Sequence, residues 1–532
     1  MKRVNNKWFK LMTLVLTVAL MGSLLAACSG GNGDGNKGNA GNNGGNTGAA
    51  NEQTDSGAPD TSKKVELVWY LVGDAHKDQQ QIVDEWNKML EKDLNTTVKL
   101  NFTTWNDWTT KYNLLLTSGE KVDMIFASQW ADFYRLANQG AFLDIKELLP
   151  KYAPKTWETV PKEHWADVTL DNKILAIPST YAEYSPDGWV YREDWRQELG
   201  TPELTDLASI EAYLDAVKTK KQVTPINGIA YENVFKLFRA MNDYQPYINE
   251  FSPIASESYD NPREIINYAF TPEYEAWVKK MKEWQQKGYW STNTLSSKQE
   301  AGDFVKTGQG AVYWRNPSAA GGFINEVKGK GLKMELGYFP FTRFHDYVVP
   351  TLSITNGMAV PKNAANPERS LMVLDKLRND PRYFNLMTYG IEGRHWAQGK
   401  DDKTIVVPAP GIDLNEVPRY DIASWGWRYE PNMKTEDGAW SGLEALKQEF
   451  EGIAKPNTLS SISLNYDPVK SELAAVNQVV EQYGRPLMLG LVNDVDKKLQ
   501  EYRDKLKSAG VDKLQEYVKT EVIKQLDAKG VK

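Results

Sequence analysis

Hydrophobic positions in residues 65–137 follow strand and helix periods in turn. The segment VELVWYL, starting at Val65, is rich in β-branched and aromatic residues, as in a buried strand. Apolar side chains then recur at helical spacing over residues 78–90, and TVKLNFTTW alternates as a strand does. A short helix, the buried strand VDMIFAS and the helical segment WADFYRLANQG complete the series. This alternation predicts an α/β fold with a mainly parallel sheet.

The C-terminal part, residues 493–529, is charged and has the period of helices, with a break at Gly510. Its apolar positions form two stripes, Leu499, Tyr502 and Leu506, then Leu514, Val518 and Ile523. Stripes of this kind bury one face of a helix, so we expect these helices to pack on the body of the protein.

One long apolar run, Leu11–Ala27, differs from these elements. Basic residues precede it, small residues end it and Cys28 follows, as in a secretory signal peptide. The end of the run, LAAC, resembles the bacterial lipobox, in which the thiol is diacylglyceryl-modified and the chain is cut before it. Two acyl chains anchor a protein stably. We therefore expect a signal peptide at residues 1–27 and a lipid anchor on the extracytoplasmic face of the cell membrane. An uncleaved anchor and an ordinary signal peptide are the alternatives.

Residues 29–60 contain no Val, Ile, Leu, Met or aromatic side chain, and Gly and Asn dominate them. Such a segment cannot bury enough apolar surface to offset its ordering entropy. We expect a disordered tether over residues 28–62, including the lipidated cysteine. A body of about 470 residues follows, which is enough for two or three domains.

Composition restricts the chemistry of this body. The net charge of −7 argues against a nucleic-acid partner. Cys28 is the only cysteine, and the four histidines, His76, His164, His345 and His395, are far apart in the sequence without metal-ligand spacing. We therefore expect no metal and no cofactor. The 18 Trp and 26 Tyr residues exceed average usage and need an explanation.

Several segments together resemble a known family. They are FVKTGQGAV (Phe304–Val312), AVPKNAANPE (Ala359–Glu368), YREDWRQELG (Tyr191–Gly200), YGIEGRHW (Tyr389–Trp396) and LKSAGVDKLQEYVKTEVIKQLDA (Leu506–Ala528). With the lipobox, the tether and the α/β opening, they resemble the extracellular solute-binding lipoproteins of ATP-binding-cassette importers. The chain is most similar to family 1, the carbohydrate-binding branch, in its larger Gram-positive members with a C-terminal helical extension.

The resemblance implies a two-lobed, type II periplasmic-binding-protein-like fold with a hinge and additional C-terminal helices. By analogy the first lobe holds residues 63–185 and 355–405, and the second holds residues 186–354 and 406–532. The resemblance also implies a carbohydrate ligand, expected to be an oligosaccharide, with ABC transporter permease subunits as partners. It further implies a monomer that contacts the membrane only through its lipid anchor and performs no catalysis.

The residues themselves also suit a sugar. Sugars present apolar C–H faces and hydroxyl groups, so their sites combine aromatic rings with amide, carboxylate and guanidinium groups. Both kinds of group occur together at predicted strand ends and in loops, where open α/β sheets bind ligands. The expected ligand-binding residues are Trp69, Tyr70, Asp74, Trp105, Trp108, Gln129, Trp130, Tyr181, Glu183, Tyr191, Arg192, Trp314, Arg315, Asn316, Arg394, Trp396, Trp425 and Trp427.

Three alternatives remain at this stage. Any single aromatic residue can belong to a hydrophobic core instead of a site. Glu183 with Glu193 or Asp194 is a nominal carboxylate pair for a lipid-anchored glycosidase. The ligand can also be a peptide or an acidic sugar, since Arg192, Arg315, Arg394 and Arg428 could bind carboxylates through two hydrogen bonds each.

Replacing Cys28 tests the predicted anchor. Cys28→Ala removes the thiol that would carry the lipid, so the variant is expected in the medium or as an uncleaved precursor. Cell fractionation and mass spectrometry of the N-terminus check this. A processed, lipid-bearing Cys28→Ala protein in the membrane fraction would contradict the lipobox interpretation.

Overall fold

A computed structural model of the protein describes residues 60–531, except residues 106, 181, 182 and 460. The signal peptide, Cys28 and the tether as far as residue 59 lie outside the described residues and stay predictions. Within the described part of the chain, no helix combines the length and the apolar character that crossing a membrane requires.

The elements follow each other from Val65 to Ala528. The strands are β1 (Val65–Val72), β2 (Thr96–Thr103), β3 (Met124–Ala127), β4 (Thr169–Leu170), β5 (Lys173–Ile174), β6 (Ile177–Pro178), β7 (Gly188–Arg192), β8 (Gln245–Pro246), β9 (Ile254–Ser256), β10 (Ile265–Asn267), β11 (Val312–Arg315), β12 (Leu336–Pro340), β13 (Gly357–Ala359), β14 (Ala397–Gln398), β15 (Thr404–Val406) and β16 (Thr435–Glu436). The helices are α1 (Gln79–Leu94), α2 (Trp108–Thr117), α3 (Phe133–Asn138), α4 (Leu149–Tyr152), α5 (Pro154–Thr159), α6 (Glu193–Leu199), α7 (Leu207–Ala216), α8 (Tyr231–Met241), α9 (Pro272–Gln286), α10 (Ala301–Lys306), α11 (Pro317–Gly329), α12 (Pro367–Asn379), α13 (Pro381–Tyr389), α14 (Gly442–Ile453), α15 (Lys470–Val479), α16 (Arg485–Met488), α17 (Val495–Ser508) and α18 (Val511–Ala528).

The first lobe is built on a five-stranded sheet with the order β2-β1-β3-β13-β6. Strand β1 pairs in parallel with β2 and β3, whereas β13 is antiparallel to both β3 and β6. Alternate residues of β1, among them Leu67 and Trp69, enter a core to which α1 contributes Ile82 and Trp86. The predicted α/β fold is confirmed. The sheet is mixed rather than mainly parallel, because β13 joins it from a distant part of the chain.

The second lobe is built on the sheet β11-β7-β12, in which β7 is antiparallel to both neighbours. Helices α7, α8 and α9 supply much of its buried core, which contains Phe238, Trp277 and Trp284 beside Trp189 of β7. A good part of the tryptophan content is therefore core, as one of the alternatives held.

The C-terminal helices belong to this second core. Five of the six predicted stripe positions are fully buried there, and Val522 takes the place expected for Ile523. Since α15, α17 and α18 pack against one another and α18 contacts β10, the extension is continuous with the lobe. The predicted additional helices are confirmed.

Three segments run between the two lobes, and we call them the crossing segments: residues 179–187, 341–356 and 428–441. The first leads from β6 to β7, the second from β12 to β13, and the third from the first core to α14. The carbonyl of Glu183 accepts a hydrogen bond from the Thr351 amide at 2.9 Å, and the Glu183 carboxylate lies 3.5 Å from Arg428. Glu183, in the first crossing segment, thus contacts the other two.

The limits of the lobes were expected from analogy, and they stay a prediction. The core of the first sheet nevertheless extends past the expected limit of residue 405, because Tyr420, Ile422, Ala423 and Trp427 are buried in it.

The first described residues are fixed to the first lobe. Arg369 of α12 is almost completely buried and donates hydrogen bonds to the carbonyls of Asp60, at 3.0 Å, and Leu94, at 2.6 Å. The side chain of Asn95 donates to the carbonyls of Thr61 and Ser62. The chain therefore enters the structure at the first lobe.

Candidate functional site

The loops that follow β1, β2 and β3 lie at one edge of the first sheet. Parallel strands bring their carboxyl ends together, and ligands of open α/β sheets bind beyond such ends. Gly73 follows β1, Trp105 follows β2, and Trp130 follows β3. Trp425 joins them from a short 3₁₀ turn, Ser424–Trp427, that contacts β13.

Four tryptophans form a continuous aromatic surface at this edge. We call Trp105, Trp108, Trp130 and Trp425 the tryptophan platform. The Trp105 ring centroid is 6.0 Å from those of both Trp130 and Trp425, with the planes inclined by 30° and 33°. Trp108 meets Trp130 edge to face at 5.9 Å. Trp105 and Trp130 keep 48% and 40% of their surface exposed, so the platform presents ring surface to solvent.

Neighbouring groups hold the platform in place. The indole N–H of Trp130 donates to the carbonyl of Thr355 at 3.0 Å, and Phe126 lies against both Trp130 and Trp425. Gly73 has a φ of +102°, and a Cβ atom there would stand 3.3 Å from Nε1 of Trp105. The ring of Trp105 therefore lies directly over a position where only glycine fits without strain.

A second edge, in the other lobe, carries Trp314. Because β7 is antiparallel to β11 and β12, the start of β7 lies beside the ends of both, with Gly188 opposite Arg315 and Pro340. The indole N–H of Trp314 donates to Asp187 at 2.9 Å. Lys236 of α8 places its ammonium 4.3 Å from the Trp314 ring centroid, so a cation covers one face of that ring.

The crossing segments 179–187 and 341–356 run between the two edges, and we interpret the space between the edges as the cleft of this two-lobed fold. One electrostatic interaction also joins the two lobes. Burial, the neighbouring Tyr517 and the Asp132 carboxylate together raise the pKa of Tyr466. Asp132 lies directly before α3 of the first lobe, and Tyr466, whose hydroxyl donates to the carbonyl of Tyr247, belongs to the second.

Ion pairs fix the second edge. Burial opposes ionisation of Asp187, but Lys236, Arg239 and the Trp314 N–H overcome it and hold the pKa of Asp187 below its usual value. Glu232, one turn before Lys236 in α8, behaves in the opposite way. Burial and the nearby carboxylates Glu300 and Glu250 raise its pKa.

The structure brings many of the predicted site residues to these two edges. Trp105, Trp108, Gln129, Trp130 and Trp425 lie at the first edge, and Trp314, Arg315 and Asn316 lie at the second. Asp74 is exposed in the loop after β1, while Tyr70 is half-buried within β1 and donates to Glu120 at 3.1 Å. Tyr181 lies outside the described residues.

Three predicted tryptophans are core residues instead. Trp69 is fully buried, and its ring meets Trp86 edge to face at 5.6 Å. Trp396 and Trp427 are buried as well, and Trp396 donates its indole N–H to the carbonyl of Gly390. The expected ligand-binding role of these three residues is wrong, because none of their rings is accessible from the cleft.

Other predicted residues serve structural contacts. The buried Arg192 forms two hydrogen bonds to Asp194, at 2.8 and 2.6 Å, and the half-buried Tyr191 packs edge to face on Tyr213. Asn316 caps α11 by accepting a hydrogen bond from a backbone amide, so its side-chain oxygen is already engaged.

Glu183 and Arg394 also have internal partners. Glu183 faces Arg428 among the crossing segments, and Arg394 donates to Asp78 at 2.9 Å. These contacts help to hold the fold, and the assignment of both residues to ligand binding stays a prediction.

Sequence reasoning missed Gly73, Asp187 and Lys236. A glycine directly after a strand was a usable signal for close approach at Gly73. The sequence contained no signal for Lys236, because a lysine in an amphipathic helix is ordinarily exposed to solvent.

Two histidines that are far apart in the sequence are neighbours in the structure. Nitrogen atoms of His76 and His395 and an oxygen of Asp78 lie within 4.8 Å of one another, a distance that could suit a metal ion. The hydrogen bonds of the two histidine rings, however, do not suit a metal ion. Each Nδ1 accepts a backbone N–H, at 3.1 Å for His76 and 2.9 Å for His395, so each Nε2 carries the proton. The Asp78 carboxylate also accepts a hydrogen bond from Arg394. We therefore interpret His76, Asp78, Arg394 and His395 as a structural network.

Stability measurements separate core from platform tryptophans. Trp69→Ala should lower the free energy of unfolding by about 3–5 kcal/mol, because it empties a closed core. Trp105→Ala removes a half-exposed ring, so a loss below about 1.5 kcal/mol is expected. Urea unfolding of both variants checks this, and equal losses would show that the two rings are not in different environments.

The chain is similar to several known proteins and families. Residues 462–528 match a domain of unknown function, DUF3502, at the predicted C-terminal extension. A carbohydrate ABC transporter substrate-binding protein of Streptococcus pneumoniae is 23% identical over 88% of this chain and 92% of its own length. The polygalacturonan/rhamnogalacturonan-binding protein YtcQ of Bacillus subtilis is 23% identical over 97% of this chain and 98% of its own.

The fold has solved counterparts. The N-glycan transport solute binding protein NgtS of Streptococcus pneumoniae superposes with a TM-score of 0.68 at 19% identity, over 88% of this chain and 100% of that one. Residues 75–372, more than half of the chain, match the family of the bacterial extracellular solute-binding protein. The family resemblance found in the sequence is thereby confirmed, and the protein belongs to the bacterial extracellular solute-binding protein family.

Proposed function

We propose that this protein captures a carbohydrate in the cleft between its lobes and delivers it to the permease of an ABC importer. The observation that carries the proposal is the tryptophan platform at the carboxyl edge of the first sheet. Exposed aromatic rings suit the C–H faces of sugar rings, and the polar groups around Trp314 suit hydroxyls. The names of the relatives, which bind carbohydrates or serve carbohydrate transporters, support the same ligand class.

Binding without chemistry is part of the proposal. The carboxylates of the nominal glycosidase pair are engaged elsewhere: Glu183 faces Arg428, Glu193 pairs with Arg196, and Asp194 pairs with Arg192. A general acid needs a carboxyl group that is free to exchange its proton with the substrate. Membership of a solute-binding family favours the same conclusion.

The proposed place of the protein is the extracytoplasmic face of the cell membrane. The predicted signal peptide and the lipobox at Cys28 support a lipid anchor, which the Cys28→Ala variant tests. A monomer that docks onto permease subunits completes the proposal, as the resemblance implies.

Binding measurements on matched variants test the proposed function. The full chain is titrated with neutral oligosaccharides, acidic oligosaccharides and peptides in a calorimeter. We expect at least one of the oligosaccharides to bind and the peptides not to bind. Trp105→Ala should then weaken binding by about thirtyfold, as loss of an aromatic anchor does. Gly73→Ala should weaken it by about tenfold, because the new methyl group displaces Trp105.

Gly140→Ala is the control. Gly140 also has a positive φ, of +74°, but nothing lies within 4 Å of a Cβ atom there, so the variant carries backbone strain without touching the platform. It should bind as the parent does. The saccharide recovered after the titration should be intact. Binding of a peptide alone, or cleavage of the saccharide, would contradict the proposal.

Closure of the lobes is the second expectation. A ligand that contacts both edges binds the closed form more tightly than the open form and shifts the population toward it. The radius of gyration from small-angle X-ray scattering should fall when the ligand is added. An unchanged profile at saturation would mean that the cleft does not close, even if calorimetry detects binding.

A further inference from the structure

We infer that the cleft is built for an uncharged oligosaccharide, because the arginines that could bind an acidic sugar are already matched to carboxylates of the same chain. The inference rests on the proposed function and narrows it. A uronic acid brings one carboxylate per residue, and each must find a cation when it leaves water.

Two of the four candidate arginines are committed within the fold. Arg192 makes both of its side-on hydrogen bonds to Asp194, and its guanidinium also stacks at 4.0 Å on the ring of Trp195. Only 7% of its side chain is exposed. Arg394 donates to Asp78 at 2.9 Å, in the cluster with His395. A ligand carboxylate could bind Arg192 side-on only by displacing Asp194, and the Nε of Arg394 is already engaged by Asp78.

The other two arginines lie closer to the cleft and are also paired. Arg428 lies 3.5 Å from the carboxylate of Glu183, where the crossing segments meet. Arg315, at the end of β11, stacks 3.9 Å above the ring of Tyr313 and lies 4.0 Å from Glu300. The charged atoms of both pairs are farther apart than those of Arg192 and Asp194. The pair of Arg315 and Glu300 has the longer distance of the two, so a substitution there is used as the test below.

The lysine beside Trp314 is shared between two acids. Lys236 donates to Glu250 and lies 3.5 Å from Asp187, which also binds Arg239 at 2.6 Å. Its ammonium therefore has carboxylates on two sides and the Trp314 ring on a third.

The second edge as a whole carries more carboxylates than cations. The acids there are Asp187, Glu232, Glu250 and Glu300, against Lys236, Arg239 and Arg315. Burial raises the pKa of Glu232, and the nearby carboxylates Glu300 and Glu250 raise it further, so negative charge is already concentrated beside this position. A polyanionic ligand would be repelled there, whereas hydroxyl groups could donate to these carboxylates.

The platform adds no charge of its own. Phe126, Tyr112, the carbonyl of Thr355 and the backbone of Gly73 contact its rings in the described part of the chain, and these four groups are uncharged. Ring faces bind the C–H surfaces of a neutral sugar without any ionic partner.

Pairs of probes that differ only in charge test the inference. Tetramers of galacturonic acid are titrated into the full chain as free acids and as methyl esters, beside neutral manno-, xylo- and cello-tetraose. The tightest probe should be uncharged, and where galacturonides bind, the ester should bind about tenfold more tightly than the free acid. A free acid that binds most tightly, or as tightly as its ester, overturns the inference and leaves carbohydrate binding intact. Failure of all the saccharides overturns the proposed function as well.

A charge variant provides the second measurement. Glu300→Gln removes a carboxylate and releases Arg315, so the affinity ratio of free acid to tightest neutral probe, measured by competition, should rise about threefold or more. Glu516→Gln, on the exposed side of α18, is the matched control and should leave the ratio unchanged. A ratio that does not rise in Glu300→Gln shows that charge balance at the second edge does not select the ligand, and overturns the inference.

Discussion

The parallel register of β1 is the constraint on which the site depends. Its residues pair one by one with those of β2, from Val65 opposite Thr96 to Val72 opposite Thr103, and the Gly73 amide continues the ladder to the Thr103 carbonyl at 2.8 Å. This register brings Gly73 beneath Trp105. A slip by one residue would turn Trp69 out of the core and separate the glycine from the ring, because side chains alternate between the faces of a sheet.

The two edges of the cleft use different physical chemistry. The first is a set of indole rings held by packing and one indole hydrogen bond. The second is a network in which Asp187 connects Lys236, Arg239 and Trp314. Such a network keeps side chains in place, because moving any one of them removes a favourable charge or hydrogen-bond contact of Asp187. Both edges are therefore ordered before a ligand arrives, which lowers the entropic cost of binding.

Local patterns predicted the fold class, the C-terminal stripes and the placement of Trp105 and Trp130 after strands. They could not separate Trp425 from Trp427. These residues are two positions apart in one 3₁₀ turn, and only the packing of that turn on β13 decides that Trp427 is buried while Trp425 joins the platform. The same limit explains His76 and His395, whose proximity arises from tertiary contacts across the first lobe. Charge pairs such as Glu183 with Arg428 could not be predicted from the sequence either, because spacing along the chain carries no information about partners that are distant in it.

The attachment of Asp60 to Arg369 has a mechanical consequence. Arg369 and Asn95 hold the carbonyls of Asp60 and Thr61, so a force applied to the chain before residue 60 acts first on the first lobe. If Cys28 fixes the protein to a membrane, the first lobe is the one that is tied to the anchor, and the second lobe is connected to the membrane only through the first. Helices α17 and α18 share the core of the second lobe, so they would move with it as one body whenever the lobes change their distance.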